Sequence, residues 1–181
     1  MKKVLTLFLL PLCFTACTSS STDNSAAAGK DSVTATPPPP PLPYTAVYST
    51  NFVPGKASDV ATTLDNYKAW QDNDMKALRA TMGDSVRMEF SSGYVFDGPT
   101  DSIMKMATKF RDSLSKVEYT FYVWLSNHSV DKNEDWVNVW YKEIDTYKTG
   151  KIDSAEYEDD NLLKNGKIVY SSSHTRKLKK K

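Results

Sequence analysis

Apolar and polar residues in this chain follow two rhythms, and each marks a kind of element. Over residues 58–71 Val60, Leu64, Tyr67 and then Trp70 or Gln71 recur at helical spacing, with Ser58 as N-cap and Asp59 in the first turn. Asp72-Asn73-Asp74 breaks that helix, and Met75, Leu78 and Met82 predict a second, shorter one that Gly83-Asp84 ends. The period then drops to two. Val86, Met88 and Phe90 alternate with Arg87 and Glu89 as a strand, and residues 94–96 form a short partner closed by Asp97-Gly98. Pro99 fits the first turn of a third helix, whose apolar face reads Ile103, Met106 or Ala107, Phe110 and Leu114. From Val117 onward every segment reads as strand: Val117, Tyr119, Phe121, Val123 and Leu125 alternate, then come residues 136–147 and 151–160. Asn165-Gly166 is a type I′ hairpin signal leading into residues 167–175. Helices and strands segregated in this way predict an α+β domain, with helices on one face of an antiparallel sheet.

The first residues follow neither rhythm. Lys2 and Lys3 precede a short apolar run, residues 4–14, and Thr15 and Ala16 lead to Cys17. This is the layout of a secretory signal, too short to span a bilayer as a helix. Ending in cysteine, it resembles the lipobox of bacterial lipoproteins. That resemblance implies cleavage before Cys17, lipidation of its thiol, and a cell-envelope protein. Thr18 follows where an Asp would retain it at the inner membrane, so the family rule points to the outer membrane. Residues 18–43 are mainly Ser, Thr, Ala, Asp and Pro, with too little apolar surface to offset ordering. Within them, residues 37–43 favour a polyproline II rod about 20 Å long. The expected organisation is a signal over residues 1–16, a lipidated linker over 17–43, and one domain over 44–181, about 138 residues.

Cleavage changes the charge. Loss of Lys2 and Lys3 takes the basic count from 23 to 21 against 22 acidic residues, a net charge of about −1. No global positive field then attracts nucleic acid. Cys13 leaves with the signal and Cys17 is acylated, so disulfides, thiolate catalysis and cysteine metal sites fall away together. The two histidines are scattered: His128 in a polar loop over residues 126–135, and His174 opposite Tyr157 if the hairpin turn has two residues. Neither metal nor cofactor is implied. The basic end, Arg176 to Lys181, reads as a solvated tail.

The element order, with Asp72-Asn73-Asp74, Gly83-Asp84-Ser85-Val86, Phe96-Asp97-Gly98 and Asn165-Gly166-Lys167-Ile168 at its turns, resembles the NTF2-like superfamily, its SnoaL-like and ketosteroid-isomerase-like branches above all. The resemblance covers roughly residues 57–176. It implies a curved sheet wrapped by three helices into a cone, a small apolar molecule in the open end, and dimers across the sheet. In the isomerase branch it further implies that Tyr67 and Asp160 hold an enolate oxygen while Glu89 moves the proton. The residues taken alone admit a blander reading, with Tyr67 in the core, Glu89 paired with Arg87, and Asp160 on a solvated strand edge.

Aromatic residues crowd the two central strands on both faces, and exposed apolar patches of that size mark binding. The sequence therefore favours a non-catalytic module over an enzyme. Its cone, lined by Tyr67, Phe110, Trp124 and Trp140, would take a small apolar ligand or a protein partner. The alternatives are an isomerase- or cyclase-like enzyme built on Glu89, Tyr67 and Asp160, and a purely structural homodimer.

Overall fold

The computed structural model describes residues 40–177. The signal, Cys17, most of the linker and residues 178–181 of the basic end lie outside the described residues. Helix α1 is Ala57–Asp72, capped at Lys56 without a side-chain bond, so Ser58 falls inside the first turn rather than at the cap. The break after it is as expected. Asn73 turns left-handed at φ 61, and the Asp74 amide donates to the Ala69 carbonyl at 2.9 Å. Asp74 then caps α2, Met75–Ala80, by accepting from the Ala77 amide at 2.9 Å. Asp74→Ala removes that acceptor and is expected to cost about 1 kcal/mol in a urea melt; an unchanged midpoint would mean that the cap contributes nothing.

The strands are β1 (Phe52–Pro54), β2 (Met82–Glu89), β3 (Val95–Pro99), β4 (Leu114–Ser129), β5 (Glu134–Tyr147), β6 (Ile152–Lys164) and β7 (Lys167–Lys177), with α3 (Thr100–Arg111) between β3 and β4. They form one sheet in the order β1-β4-β5-β6-β7-β2-β3. All neighbours are antiparallel except β2 and β7, which run parallel, so the sheet is mixed rather than purely antiparallel. The domain is an α+β cone: a curved, open sheet with three helices against its concave face.

Several boundaries differ from the sequence expectation. Met82 and Gly83-Asp84 belong to β2 rather than to a helix end, because the Arg79 guanidinium pulls the chain round by donating to the Met82 and Gly83 carbonyls at 3.3 Å. Asp97-Gly98 lies inside β3, paired with Arg87 and Val86. Leu114 opens β4. The polar loop expected around His128 is strand as well: His128 pairs with Asp135 across β4 and β5, its Nδ1 2.8 Å from Asp135 Oδ1. The expected solvated tail begins within β7, where Arg176 donates from Nε to Glu156 at 2.8 Å.

Two bulges matter more, because each inverts the facing of everything beyond it. In β4, Phe121 pairs with Tyr141 but Val123 with Trp140, so Tyr122 is an extra residue. Trp124 and Ser126, not Val123 and Leu125, continue the row that holds Tyr119 and Phe121. In β7 the Asn165-Gly166 turn is a two-residue one with both φ positive, as expected. Val169 is then extra, so Tyr157 lies opposite Thr175 and His174 opposite Glu158.

The core divides in two. Tyr67 of α1 packs on Val137, Val139, Tyr141, Leu163 and Ile168 of the sheet. Ala69, Leu78, Met82, Val86, Ile103 and Met104 fill the space between the helices and β2. The buried side of α3 is thus Thr100, Ile103, Met104 and Arg111, while Met106 and Phe110 are nearly half exposed.

Candidate functional site

Between the helices and the concave face lies a cavity of about 510 Å³. One wall is Trp70 of α1 with Ile103, Met106 and Phe110 of α3, the Trp70 and Phe110 rings stacked 6.2 Å apart. Met88 and Phe90 of β2, with Tyr94 just before β3, form the opposite wall. The floor is the sheet itself: Tyr119, Tyr141 and Tyr157 stand in adjacent strands, with centroids 5.4 Å and 5.3 Å apart. A largely apolar hollow with a few convergent polar groups is the usual form of a small-molecule site.

Those polar groups are acidic. Along β5 the concave-facing positions run Val137, Val139, Tyr141, Glu143, Asp145, so the row that begins as core ends as two carboxyls on the cavity surface. Opposite Glu143 stand Tyr119 on β4, its hydroxyl 3.5 Å from Glu143 Oε1, and Ala155 on β6, too short to cover the carboxyl. Burial pushes Glu143 up to about 8, and the neighbouring charges of Asp145 and Asp159 add to the shift. Burial also raises Asp145, whose Oδ1 is enclosed without a hydrogen-bond partner among the described residues. Neither acid enters an ion pair with a side chain of residues 40–176.

A third acid lies deeper. Asp159, only 5% exposed, accepts at Oδ2 from the hydroxyls of Tyr67 at 2.7 Å and Tyr141 at 2.8 Å, and at Oδ1 from Ser173 at 2.6 Å. Burial raises its carboxyl, and these three hydroxyls oppose the rise. The same burial lifts the phenols of Tyr67, Tyr119 and Tyr141 well above their ordinary value, and Tyr157 up to about 12. All four tyrosines therefore act as neutral donors near neutral pH.

The three residues that the resemblance grouped are not brought together. Tyr67 faces the site. Asp160 points to the convex face, where Asn138 donates to it. Glu89 is on the same convex side, beside Ser172 in the register, and accepts from Arg87 at 2.8 Å. Alternation explains both: with Met88 facing the cavity Glu89 cannot, and with Asp159 inward Asp160 is outward. Of the expected lining, Tyr67 and Phe110 take part, but Trp124 and Trp140 do not. Trp140 follows the core residue Val139 and is 41% exposed on the convex face; Trp124 lies beyond the Tyr122 bulge, 48% exposed. The residues that sequence reasoning missed are Glu143, Asp145 and Asp159. For the first two a signal existed, since they occupy the core-facing parity of β5 as set by Val137, Val139 and Tyr141.

No protein-family model matches this sequence, and no curated protein matches it. Solved structures do. An NTF2-like protein of unknown function from Burkholderia pseudomallei superposes with a TM-score of 0.51 at 14% identity, over 67% of this chain and 92% of its own. An epoxide hydrolase from M. tuberculosis of the LEH-like kind gives 0.55 at 11%, over 66% and 83%. A putative polyketide cyclase from Xanthomonas campestris gives 0.52 at 14%, over 66% and 90%. Sequences this distant share a fold, and the fold is NTF2-like.

Proposed function

We propose that this chain is a lipoprotein held in the bacterial outer membrane through acyl chains on Cys17, and that its NTF2-like domain binds a small, mostly apolar molecule without transforming it. The cavity carries this reading: about 510 Å³ bounded by aromatic and aliphatic side chains suits a molecule of drug-like size. The anchor rests on the lipobox resemblance. Among the described residues no helix is long and apolar enough to cross a membrane. A second reading, proton transfer on the bound molecule, is favoured by one observation. Glu143 holds its proton up to about 8, near the value at which a carboxyl serves as both acid and base at neutral pH. In that reading Glu143, not Glu89, moves the proton, and the hydrolase and cyclase names of two structural neighbours fit such chemistry. A homodimer would cover the exposed convex-face residues Leu125 and Trp140.

Native mass spectrometry of the full-length protein, extracted from bacterial envelopes in mild detergent, tests the proposal. The expected spectrum shows a chain beginning at acylated Cys17 with a small molecule retained by the folded protein. An unprocessed N-terminus would overturn the anchor, and a bare protein at every collision energy would overturn the ligand. A retained molecule that gains carbon-bound deuterium after incubation in D2O would select the proton-transfer reading. The same spectra count subunits.

A further inference from the structure

We infer that the molecule this cavity selects is a hydrophobic amine, its ammonium on the carboxyls of Glu143 and Asp145 and its apolar body between the Trp70–Phe110 stack and the tyrosine floor. The inference rests on the reading of the cavity as a ligand site and names the chemistry of the ligand.

Four features on the cavity surface favour a cation. Glu143 and Asp145 occupy alternate positions of one strand, so both carboxyls face the same side. Asp145 Oδ1 is enclosed and accepts from no N–H or hydroxyl group among the described side chains, so in the empty site its partner is the proton held with Glu143, which an incoming N–H can replace. The Arg111 guanidinium at the end of α3, whose charge acts on Asp145, makes its hydrogen bonds to backbone instead. It donates to the carbonyls of Trp70 at 2.7 Å, Gln71 at 2.8 Å and Leu114 at 3.4 Å. Finally, Trp70, Tyr119 and Tyr157 present aromatic rings in the same lining, and ring faces attract cations. A carboxylate ligand would meet Glu143, Asp145 and the buried Asp159 together, which like-charge repulsion forbids. A neutral alcohol satisfies Asp145 by one hydrogen bond but brings no charge that would let Glu143 ionise.

The proton balance follows from the neighbours of the pair. Tyr119 faces Glu143 from β4, Tyr157 and Asp159 from β6, and the Trp70 indole from α1; Asp153 and Arg111 act on Asp145. Lys177 of β7 stands in register with Ala155, the residue opposite Glu143. With Glu143 protonated up to about 8, the empty pair holds one shared proton near neutral pH. When R–NH3+ enters, the O–H bond of Glu143 breaks and its proton leaves to solvent. The ammonium then donates hydrogen bonds to the two carboxylates, and no covalent bond forms.

The test is calorimetric titration of the full-length protein with naphthylmethylamine, naphthylmethanol and naphthoic acid, in two buffers of different ionisation enthalpy. The amine is expected to bind on the order of tenfold more tightly than the alcohol, the worth of one charge-assisted hydrogen bond, and the acid least of all. About one proton should be released per amine bound, and amine affinity should rise between about pH 6 and pH 8 as Glu143 becomes easier to deprotonate. Glu143→Gln should abolish the preference while retaining the alcohol, and Lys177→Gln should leave the preference intact. Alcohol binding equal to or tighter than amine binding overturns the amine inference and leaves the ligand site standing. A preference that vanishes in Lys177→Gln, or one without proton release, also overturns it. Silence from all three probes overturns both readings.

Discussion

Glu143→Gln is expected to melt about 5 °C higher than the parent protein at pH 8, and within a degree or so of it at pH 5. The reason is the cost of ionising a carboxyl against the cavity wall. In the unfolded chain a glutamate titrates near 4.3, whereas in the fold Glu143 is held up to about 8. Between those values the folded chain binds a proton that the unfolded chain has lost, so stability falls as pH rises. The ceiling on that loss is about 1.4 kcal/mol per pH unit. Partial exposure of the carboxyl to the cavity and the proton shared with Asp145 reduce it to roughly 2 kcal/mol between pH 5 and pH 8. Glutamine keeps the shape of the protonated acid and carries no charge, so it escapes the penalty. Asp145 and Asp159 are raised too and slope in the same direction, so the parent should remain more stable at pH 5 than at pH 8 after the substitution, by a smaller margin. Parallel melting curves for parent and variant at both pH values would show that Glu143 titrates as an ordinary surface acid.

The second large effect concerns Asp159. Asp159→Ala removes the acceptor for Tyr67, Tyr141 and Ser173 at once and leaves three buried or half-buried hydroxyls facing an apolar gap. Each stranded donor costs about 1 kcal/mol or more, and the expected loss is on the order of 3 kcal/mol in a denaturant titration. Asp159→Asn retains two acceptor lone pairs for the tyrosines and needs only the Ser173 hydroxyl to turn from donor to acceptor, so about 1 kcal/mol is expected. The ratio matters more than either figure. Equal losses for Ala and Asn would mean that charge, not hydrogen bonding, ties α1 to β5, β6 and β7 at this point.

Much of the architecture is legible in the chain because it is local. Asp72-Asn73-Asp74 closes one helix and caps the next using side chains within a few residues of each other. The Asn165-Gly166 turn depends on two left-handed residues that the dipeptide supplies directly. The alternation of residues 86–90 and of residues 117–121 survives intact. What escaped is what depends on register. A single extra residue, Tyr122 or Val169, has no composition signature, yet it decides whether Val123 or Trp124 faces inward and whether His174 meets Tyr157 or Glu158. The candidate site suffered most, since the acid opposite the Tyr67 hydroxyl is one of two adjacent aspartates. Glu143 and Asp145 were readable in principle: following the parity of Val137, Val139 and Tyr141 to the end of β5 places both on the concave face. The third helix misled for another reason. Its Met106 and Phe110 serve the cavity while Thr100 and Arg111 are buried, so its inward face does not coincide with its apolar one.

The central part of β6 reads Asp159-Asp160-Asn161-Leu162-Leu163, almost the same when moved along by one residue. Acid follows acid and leucine follows leucine, so a hairpin paired one step out of place would still offer an aspartate to the Tyr67 hydroxyl and a leucine to the core. Hydrophobic pattern alone hardly separates the two frames of this strand. The tie is broken at its ends, by Tyr157 stacked on Tyr141 and by the tight turn at Asn165-Gly166 with the extra Val169 just beyond it. The correct frame is therefore set by the two ends of the strand and not by its middle. The middle of the strand that supplies the deeply buried Asp159 thus leaves two frames almost equally matched.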